Sequence, residues 1–456
     1  MTTTDIKPTT RLDALIEEQE ANFLERQPRS SELLGRARKS LAGGVTSNWQ
    51  IARPQVVWLS HAKGSKVYDA DGNEYSDFHG GYGAMAVGHA HPEIVTAVTE
   101  RVAQGTHFAQ PTEDSIVVAE ELVARFGLPQ WRFGNSGTEA TMDAFHLMRA
   151  ATGRDCIVKI EGAYHGHHDS AMVSVASSED EIGPVEHPSS PAAGSGLPRA
   201  LLDLTLVVPF NDLEALERLL AQRSSEIAGL IMEPIMMGAG IILPEQGYLE
   251  GVREITRRYG VLLAFDEVKT GFTTGPGGGT KLFGVTPDII CLAKSLGGGL
   301  PCGALGGSAE VMGLIADGRY EQVGTFNGNP LTMAASRAAL TRVLTSDVYA
   351  RWDVLREQVV GSCTEIIARC GLPAHVVAVG SKGCITFSES PVRSYRDFLA
   401  VDDRYSHCHW LYQHNGGVFL PPWGKAEQFS LSAQHDGSDA DRFIANFERF
   451  AEALRA

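Results

Sequence analysis

Between about residue 76 and residue 330, short and almost wholly apolar runs alternate with helical stretches. The runs are Ile157-Val158-Lys159-Ile160, Leu204-Thr205-Leu206-Val207-Val208, Ile227-Ala228-Gly229-Leu230-Ile231-Met232, Val261-Leu262-Leu263-Ala264-Phe265 and Ile289-Ile290-Cys291-Leu292. A strand with one wet face alternates apolar and polar residues. A run apolar at nearly every position must be covered on both faces. Strands of that kind, each followed by a helix, predict an α/β fold around a mainly parallel central sheet.

The chain of 456 residues exceeds what one core of ordinary size holds. We therefore expect a large domain over residues 76–330 and a smaller α+β domain over 331–456. Residues 1–75 are expected to add N-terminal helices and a hairpin to the smaller unit. The first ten residues read as a polar tail, and Leu12 to Leu41 has helical spacing. Val56-Val57-Trp58 and Lys66-Val67-Tyr68-Asp69 read as strands, with a turn at Asp71-Gly72-Asn73. The stretch from Ser174 to Pro198 is rich in Ser, Pro, Gly and acids and predicts a long loop of lid type.

A formal net charge of -16 disfavours phosphate backbones and anionic membranes, so nucleic acid and membrane partners are not expected. No run is long and apolar enough to span a bilayer, and no apolar leader segment stands near Met1. Seven cysteines with no CxxC pair fit a reducing compartment. The expected location is cytoplasmic.

Four segments carry candidate chemistry. Asn135-Ser136-Gly137-Thr138-Glu139 opens a helical run, where small residues and the helix N-terminus suit a phosphate, although taken alone a plain capped helix explains it better. Tyr164-His165-Gly166-His167-His168-Asp169 follows a strand. Neighbouring histidines rarely converge on one ion and nothing else closes a shell, so no metal is expected, while an aromatic there can lie on a planar ring. Asp266 and Glu267 end a buried strand, where ligands bind in such sheets. Lys294 precedes the glycines 297–299, and a buried lysine can act as an amine nucleophile; Lys269 is its rival. One chemistry uses all four: pyridoxal 5'-phosphate needs a phosphate cup, a stacking aromatic, an acid at the pyridine nitrogen and a lysine at the aldehyde.

The ordered set Gly88-His89-Ala90-His91-Pro92, Asn135 to Glu139, Tyr164-His165-Gly166, Asp266-Glu267-Val268, Lys294 to Pro301 and Gly324 to Pro330 resembles class III aminotransferases of fold type I. More narrowly it is similar to the branch holding glutamate-1-semialdehyde aminomutase and D-phenylglycine-type aminotransferases. The resemblance runs from about Leu33 to Leu454. It implies that Lys294 holds the cofactor as a Schiff base and that Asp266 pairs with the ring nitrogen. Tyr164 and Val268 would flank the ring, Ser136, Gly137 and Thr138 would bind the phosphate, and Glu233 would shape the site. Thr325 would reach the neighbouring subunit's phosphate, implying a homodimer with shared sites.

Departures from the aminomutase pattern are specific. Gln50 stands where the mutase has a carboxylate-gripping arginine, and Arg53 is the nearest arginine. Ala426, beside Glu427, replaces a glutamate; Lys269 replaces a methionine and Thr273 an arginine. His79-Gly80-Gly81-Tyr82-Gly83 and Ser430 to His435 look more like the D-phenylglycine-type enzymes. The expected activity is transfer of an amino group between an amino acid and a keto or aldehyde acceptor, the alternative being the intramolecular mutase. Trp49, His79, Tyr82 and Trp423 either line a bulky pocket or pack the core.

Overall fold

Residues 10–455 are described in the structure, a computed structural model; the expected tail lies almost wholly outside them. All five apolar runs form strands of one seven-stranded sheet. These are β5 (Cys156–Ile160), β6 (Thr205–Val208), β7 (Ile227–Met232), β8 (Leu262–Asp266) and β9 (Ile289–Ala293), joined by β4 (Gln130–Gly134) and β10 (Gly303–Gly307). The order is β4-β10-β9-β8-β7-β5-β6. From β6 to β9 every pairing is parallel, and only β10 runs antiparallel, to both β9 and β4. Every residue of β5, β7 and β9 is buried, as coverage on both faces requires. The helix Gly137–Thr152 packs across β7, β9 and β10. It comes so close that a Cβ on Gly229 of β7 would fall 2.0 Å from Met148 Sδ.

The first helices span Arg11–Glu25 and Pro28–Ala37, as the spacing predicts. The strand expected at Val56–Trp58 does not form. Trp58 bonds outward instead: its N–H donates to Ser30 Oγ at 3.2 Å and its carbonyl accepts from Ala70 N at 2.7 Å. The strand there is β1 (Leu59–Lys63), which turns through Gly64-Ser65 into β2 (Lys66–Asp69). β2 reaches β3 (Glu74–Asp77) through the turn expected at 71–73.

Two strands from late in the sequence complete smaller sheets. β13 (Val418–Phe419) lies parallel to β3, extending the N-terminal hairpins. β11 (His375–Val379), β12 (Lys382–Thr386) and β14 (Phe429–Ser430) form a second antiparallel sheet. The helix Ser346–Cys370 packs on β11 and on the helix Gly437–Arg455. The helix Pro330–Ala338 packs instead against the helices Pro92–Val102 and Glu113–Phe126. The long loop from Ser174 is tied down: Arg396 pairs with Glu161 at 2.8 and 3.0 Å and donates to the Gly183 carbonyl at 2.9 Å. Among the described residues no helix is long and apolar enough to cross a membrane.

The turn between β11 and β12 is pressed onto the loop after β8. Gly380 has φ of +56°, and a Cβ there would fall 2.0 Å from the Thr273 carbonyl oxygen. Gly380→Ala is expected to lower the thermal midpoint, with about 1–2 kcal/mol lost to the left-handed backbone alone and more to the clash. An unchanged midpoint would show that the turn yields freely.

Candidate active site

The carboxyl ends of the parallel strands converge, and the singled-out residues sit on them. Asp266 is the last residue of β8, Lys294 follows β9, Glu233 follows β7 and Tyr164 lies just beyond β5. Lys294 has φ of +49°, a left-handed backbone costing roughly 1–2 kcal/mol for a side chain of this kind. Its neighbour Ser295 fixes the turn by donating Oγ to the Gly83 carbonyl at 2.6 Å. Lys294 Nζ lies 5.9 Å from the Trp49 ring centroid and takes no hydrogen-bond partner among the described residues. Burial, and then the charge of Lys269, push its ammonium down to about 8, against the pull of Asp266 and Glu233.

Asp266 is buried, and its Oδ2 meets His165 Nδ1 at 2.8 Å while Oδ1 accepts from Val268 N at 3.0 Å. The adjacent Glu267 faces away, its carboxylate taken up by Gly279 N at 2.9 Å and Thr280 N at 2.6 Å. The sequence marks both acids equally; only Asp266 faces the site. The three neighbouring histidines part company. His165 goes to Asp266, His167 is exposed, and His168 sets its ring edge-on to Phe145 at 5.0 Å. His165 Nε2 is buried and unpartnered. Lys159, in the middle of β5, holds the loop bearing Tyr164 and His165: its Nζ donates to the carbonyls of Ala163 at 2.6 Å and Val173 at 2.5 Å. Burial pushes this ammonium down to about 7.

Ser136 caps the helix Gly137–Thr152, accepting from Glu139 N at 3.2 Å. The N–H groups of Gly137 and Thr138 at the helix start take no partner among the described residues. Gly137 lies against Val268, where a Cβ would fall 2.9 Å from Cγ2, so the cup is pressed onto the loop after β8. Thr138 Oγ1 accepts from His167 N at 3.1 Å. Thr325 is exposed; its loop docks beside the cup, with Gln322 Nε2 donating to the Phe133 carbonyl at 3.1 Å and Asn135 Nδ2 to Asn327 Oδ1 at 3.2 Å.

Glu233 is buried, with Oε2 accepting from Met237 N at 3.1 Å and Oε1 unpartnered. Burial drives its carboxyl up, aided by Asp266 and opposed by Lys269. Lys269 donates to the Met237 carbonyl at 2.9 Å and lies 5.2 Å from the Trp423 ring centroid. The aromatic residues gather as one wall. Trp49 meets Tyr82, Tyr164 and Trp423 edge-on at 5.4, 5.2 and 5.8 Å, and Tyr82 stacks on Trp423 at 4.6 Å. Behind Trp49 and Tyr82 opens a cavity of about 390 Å³, which His79, Met85 and Phe419 also line.

At the position of a carboxylate-gripping arginine, Gln50 borders this cavity but brings no charge to it, and Arg53 does not line it. Gln50 Oε1 is occupied by Thr46 N at 3.0 Å, Thr46 Oγ1 at 2.8 Å and Ser47 N at 3.2 Å. Arg53 turns outward, with 73% of its side chain exposed and Nε on Glu20 at 2.8 Å. Glu427 pairs with His409 at 3.4 Å. One charged residue that motif reading passes over is Lys382, buried in β12.

Residues 50–402 match the family described as aminotransferase class-III. A glutamate-1-semialdehyde 2,1-aminomutase of Syntrophomonas wolfei is 39% identical over 93% of this chain and 98% of its own length. The crystal structure of an omega-transaminase from Sphaerobacter thermophilus superposes with a TM-score of 0.90 at 36% identity, covering 95% of this chain and 100% of that one. A glutamate-1-semialdehyde aminomutase from Pseudomonas aeruginosa PAO1, in complex with PMP, superposes with a TM-score of 0.89 at 29% identity over 97% and 98% of the two chains.

Proposed function

The chain belongs to the class-III aminotransferase family, and we propose that it moves an amino group from an amino acid donor to a keto or aldehyde acceptor, with pyridoxal 5'-phosphate held at Lys294. The observation that carries this reading is the convergence of Lys294, Asp266 and the open start of the helix Gly137–Thr152 at one edge of the parallel sheet. The residues present fit the group. Glycine backbone pressed on Val268 leaves the N–H groups of Gly137 and Thr138 free for an anion, and Lys294 Nζ is unpartnered.

When bound, the cofactor supplies an aldehyde for exchange with amines and a cationic ring that takes up electrons when the substrate's α-proton leaves. Asp266 holds a proton at the ring nitrogen, and His165 fixes that carboxylate through Nδ1. Ser136, Gly137 and Thr138 bind the phosphate through the helix start, where negative charge is stabilised. Val268 and Tyr164 would flank the ring. Lys294 Nζ would hold the cofactor and, once released, would carry the α-proton. Lys269 donates its Nζ to the Met237 carbonyl, whereas Lys294 Nζ is left unpartnered for the anchoring role.

The exposed loop carrying Thr325 supports a homodimer in which each subunit completes the other's phosphate site. Exposed Val323 and Phe326 flank it, side chains that association would cover. Seven unpaired cysteines, six of them buried, suit a reducing compartment and support a cytoplasmic location.

Borohydride reduction followed by peptide mapping is expected to find the pyridoxyl group on Lys294; finding it on Lys269 would overturn the assignment. The amine of Lys294 is the reactive form, and in the free protein it prevails above about pH 8, not above 10.5 as for an ordinary lysine. Capture of the cofactor by apoprotein should therefore quicken about tenfold per pH unit up to about 8 and then level off. Continued acceleration to pH 10 would contradict a lowered amine.

Sedimentation of the holoprotein should show a dimer that loses cofactor on dilution to monomers. A monomer keeping both cofactor and turnover would exclude the shared site.

The intramolecular mutase is the second reading, favoured by the aminomutase relatives. Against it stand the neutral Gln50 and the outward turn of Arg53 onto Glu20, since a mutase must grip its substrate through both halves of the reaction. Supplied with glutamate-1-semialdehyde alone, the enzyme should form little 5-aminolevulinate. Efficient conversion with no second substrate would establish the mutase.

A further inference from the structure

One buried lysine beside the site has no acid near it. Lys382 is buried on β12, 2% exposed, and has no hydrogen-bond or ion-pair partner among the described residues. Its position is built from both sides. The preceding Ser381 donates its N–H to the Thr273 carbonyl at 2.7 Å, and Thr273 Oγ1 in turn donates to the Lys269 carbonyl at 2.5 Å. On the other flank, a Cβ on Gly83 would fall 2.7 Å from Lys382 Nζ. Gly83 accepts the Ser295 hydroxyl beside Lys294, so the ammonium lies against the backbone that holds the anchoring lysine's turn.

That backbone is itself unusual. Residues 80–83 all have positive φ, of 55, 56, 62 and 89°, including the non-glycine Tyr82. A run of left-handed residues costs free energy, and here it brings glycine backbone to the lysine and Tyr82 to the wall over Lys294. The charged and titratable groups around Lys382 are Lys269, Lys294 and His79, with no carboxylate among its influences. Burial first, and then the two lysines, push its ammonium down to about 7. The charges of Glu233 and Asp266 act through space on both Lys269 and Lys294. No carboxylate acts on Lys382, and its ammonium meets only the Gly83 backbone. The open helix start that suits the phosphate is a separate place, formed by Gly137 and Thr138.

We propose that Lys382 grips the carboxylate of the amino acid substrate, taking the part that Gln50 and Arg53 do not. This rests on the aminotransferase reading and narrows it to substrates bearing a carboxylate. A carboxylate arriving at Lys382 supplies the missing negative charge, lies at the Gly83 backbone that holds the Lys294 turn, and leaves the substrate's side chain to the aromatic wall of Trp49 and Tyr82. Lys382 is thus a residue of substrate binding and specificity.

The test uses holoenzyme and two probes that both attack the cofactor's aldehyde, followed by the change in its absorbance. Aminooxyacetate carries a carboxylate; methoxyamine does not. Lys382→Met should slow capture of aminooxyacetate by about 10- to 100-fold, as expected for losing a charge-assisted pair, and change capture of methoxyamine less than about threefold. Lys382→Arg should restore much of the preference, and Lys382→Gln replaces the methionine variant where that does not fold. In turnover, the loss should fall on KM for an amino acid and spare the corresponding amine lacking the carboxylate. Equal loss on both probes, or no loss on either, overturns the proposal. Neither probe requires transamination. Probe discrimination through Lys382 without amino-acid turnover would sink the aminotransferase reading alone, and full turnover by Lys382→Met would sink the lysine's role alone.

Discussion

The site depends on how buried charges are made tolerable. Removing an ionised side chain from water costs several kcal/mol unless partners restore what water provided. Asp266, Glu233, Lys269, Lys294, Lys159 and Lys382 all lie in or just behind the site with little solvent. Each survives by a different means. Asp266 has His165 and the Val268 N–H; Lys159 gathers backbone carbonyls; Glu233 leans toward its neutral form beside Lys269. The lysines lean toward neutral amines. This electrostatic tension is what gives amine chemistry near neutral pH, because a fully solvated lysine would stay protonated.

Such a cluster needs elements packed closer than ordinary side chains allow. Gly137 against Val268, Gly380 against the Thr273 carbonyl and Gly83 against Lys382 are three such approaches, each from a different part of the sequence. They join the large sheet, the β11–β12 turn and the Gly80–Gly83 segment around one space. The same economy of room explains why the residues of the aromatic wall meet mostly edge-on, an arrangement rings favour over face-to-face stacking.

The main sheet was legible because coverage on both faces leaves an unbroken apolar run, which no amphipathic element imitates. The run Val56–Trp58 misled because β-branched and aromatic residues mark extended backbone, whereas a strand also needs a partner; here the partner bonds come from Ser30 and Ala70. Lys294 and Asp266 were readable from their place after apolar runs. His165's bond to Asp266 was not, since it joins residues 101 apart. Arg53 looked available only because Glu20, which holds it, sits in a helix far upstream. Lys159 and Lys382 were invisible for a simpler reason: a lone lysine in a strand ordinarily points to water, and only the packed structure shows these two do not.

The pairing of β3 with β13 has a consequence for how the chain is made. Asp77 finds its partner strand only at Phe419, roughly 340 residues later, and the helix Arg11–Glu25 packs on the helix Asp403–Asn415. At ribosomal speeds of about 5–20 residues per second, that partner emerges about 17–70 s after the early strand. Throughout this interval Leu12, Leu15, Ile16 and Phe23 have no final cover. The growing polypeptide therefore spends most of its synthesis with a greasy early helix exposed beside unpaired strand edges, a state that invites chaperone capture until the late segment closes over it.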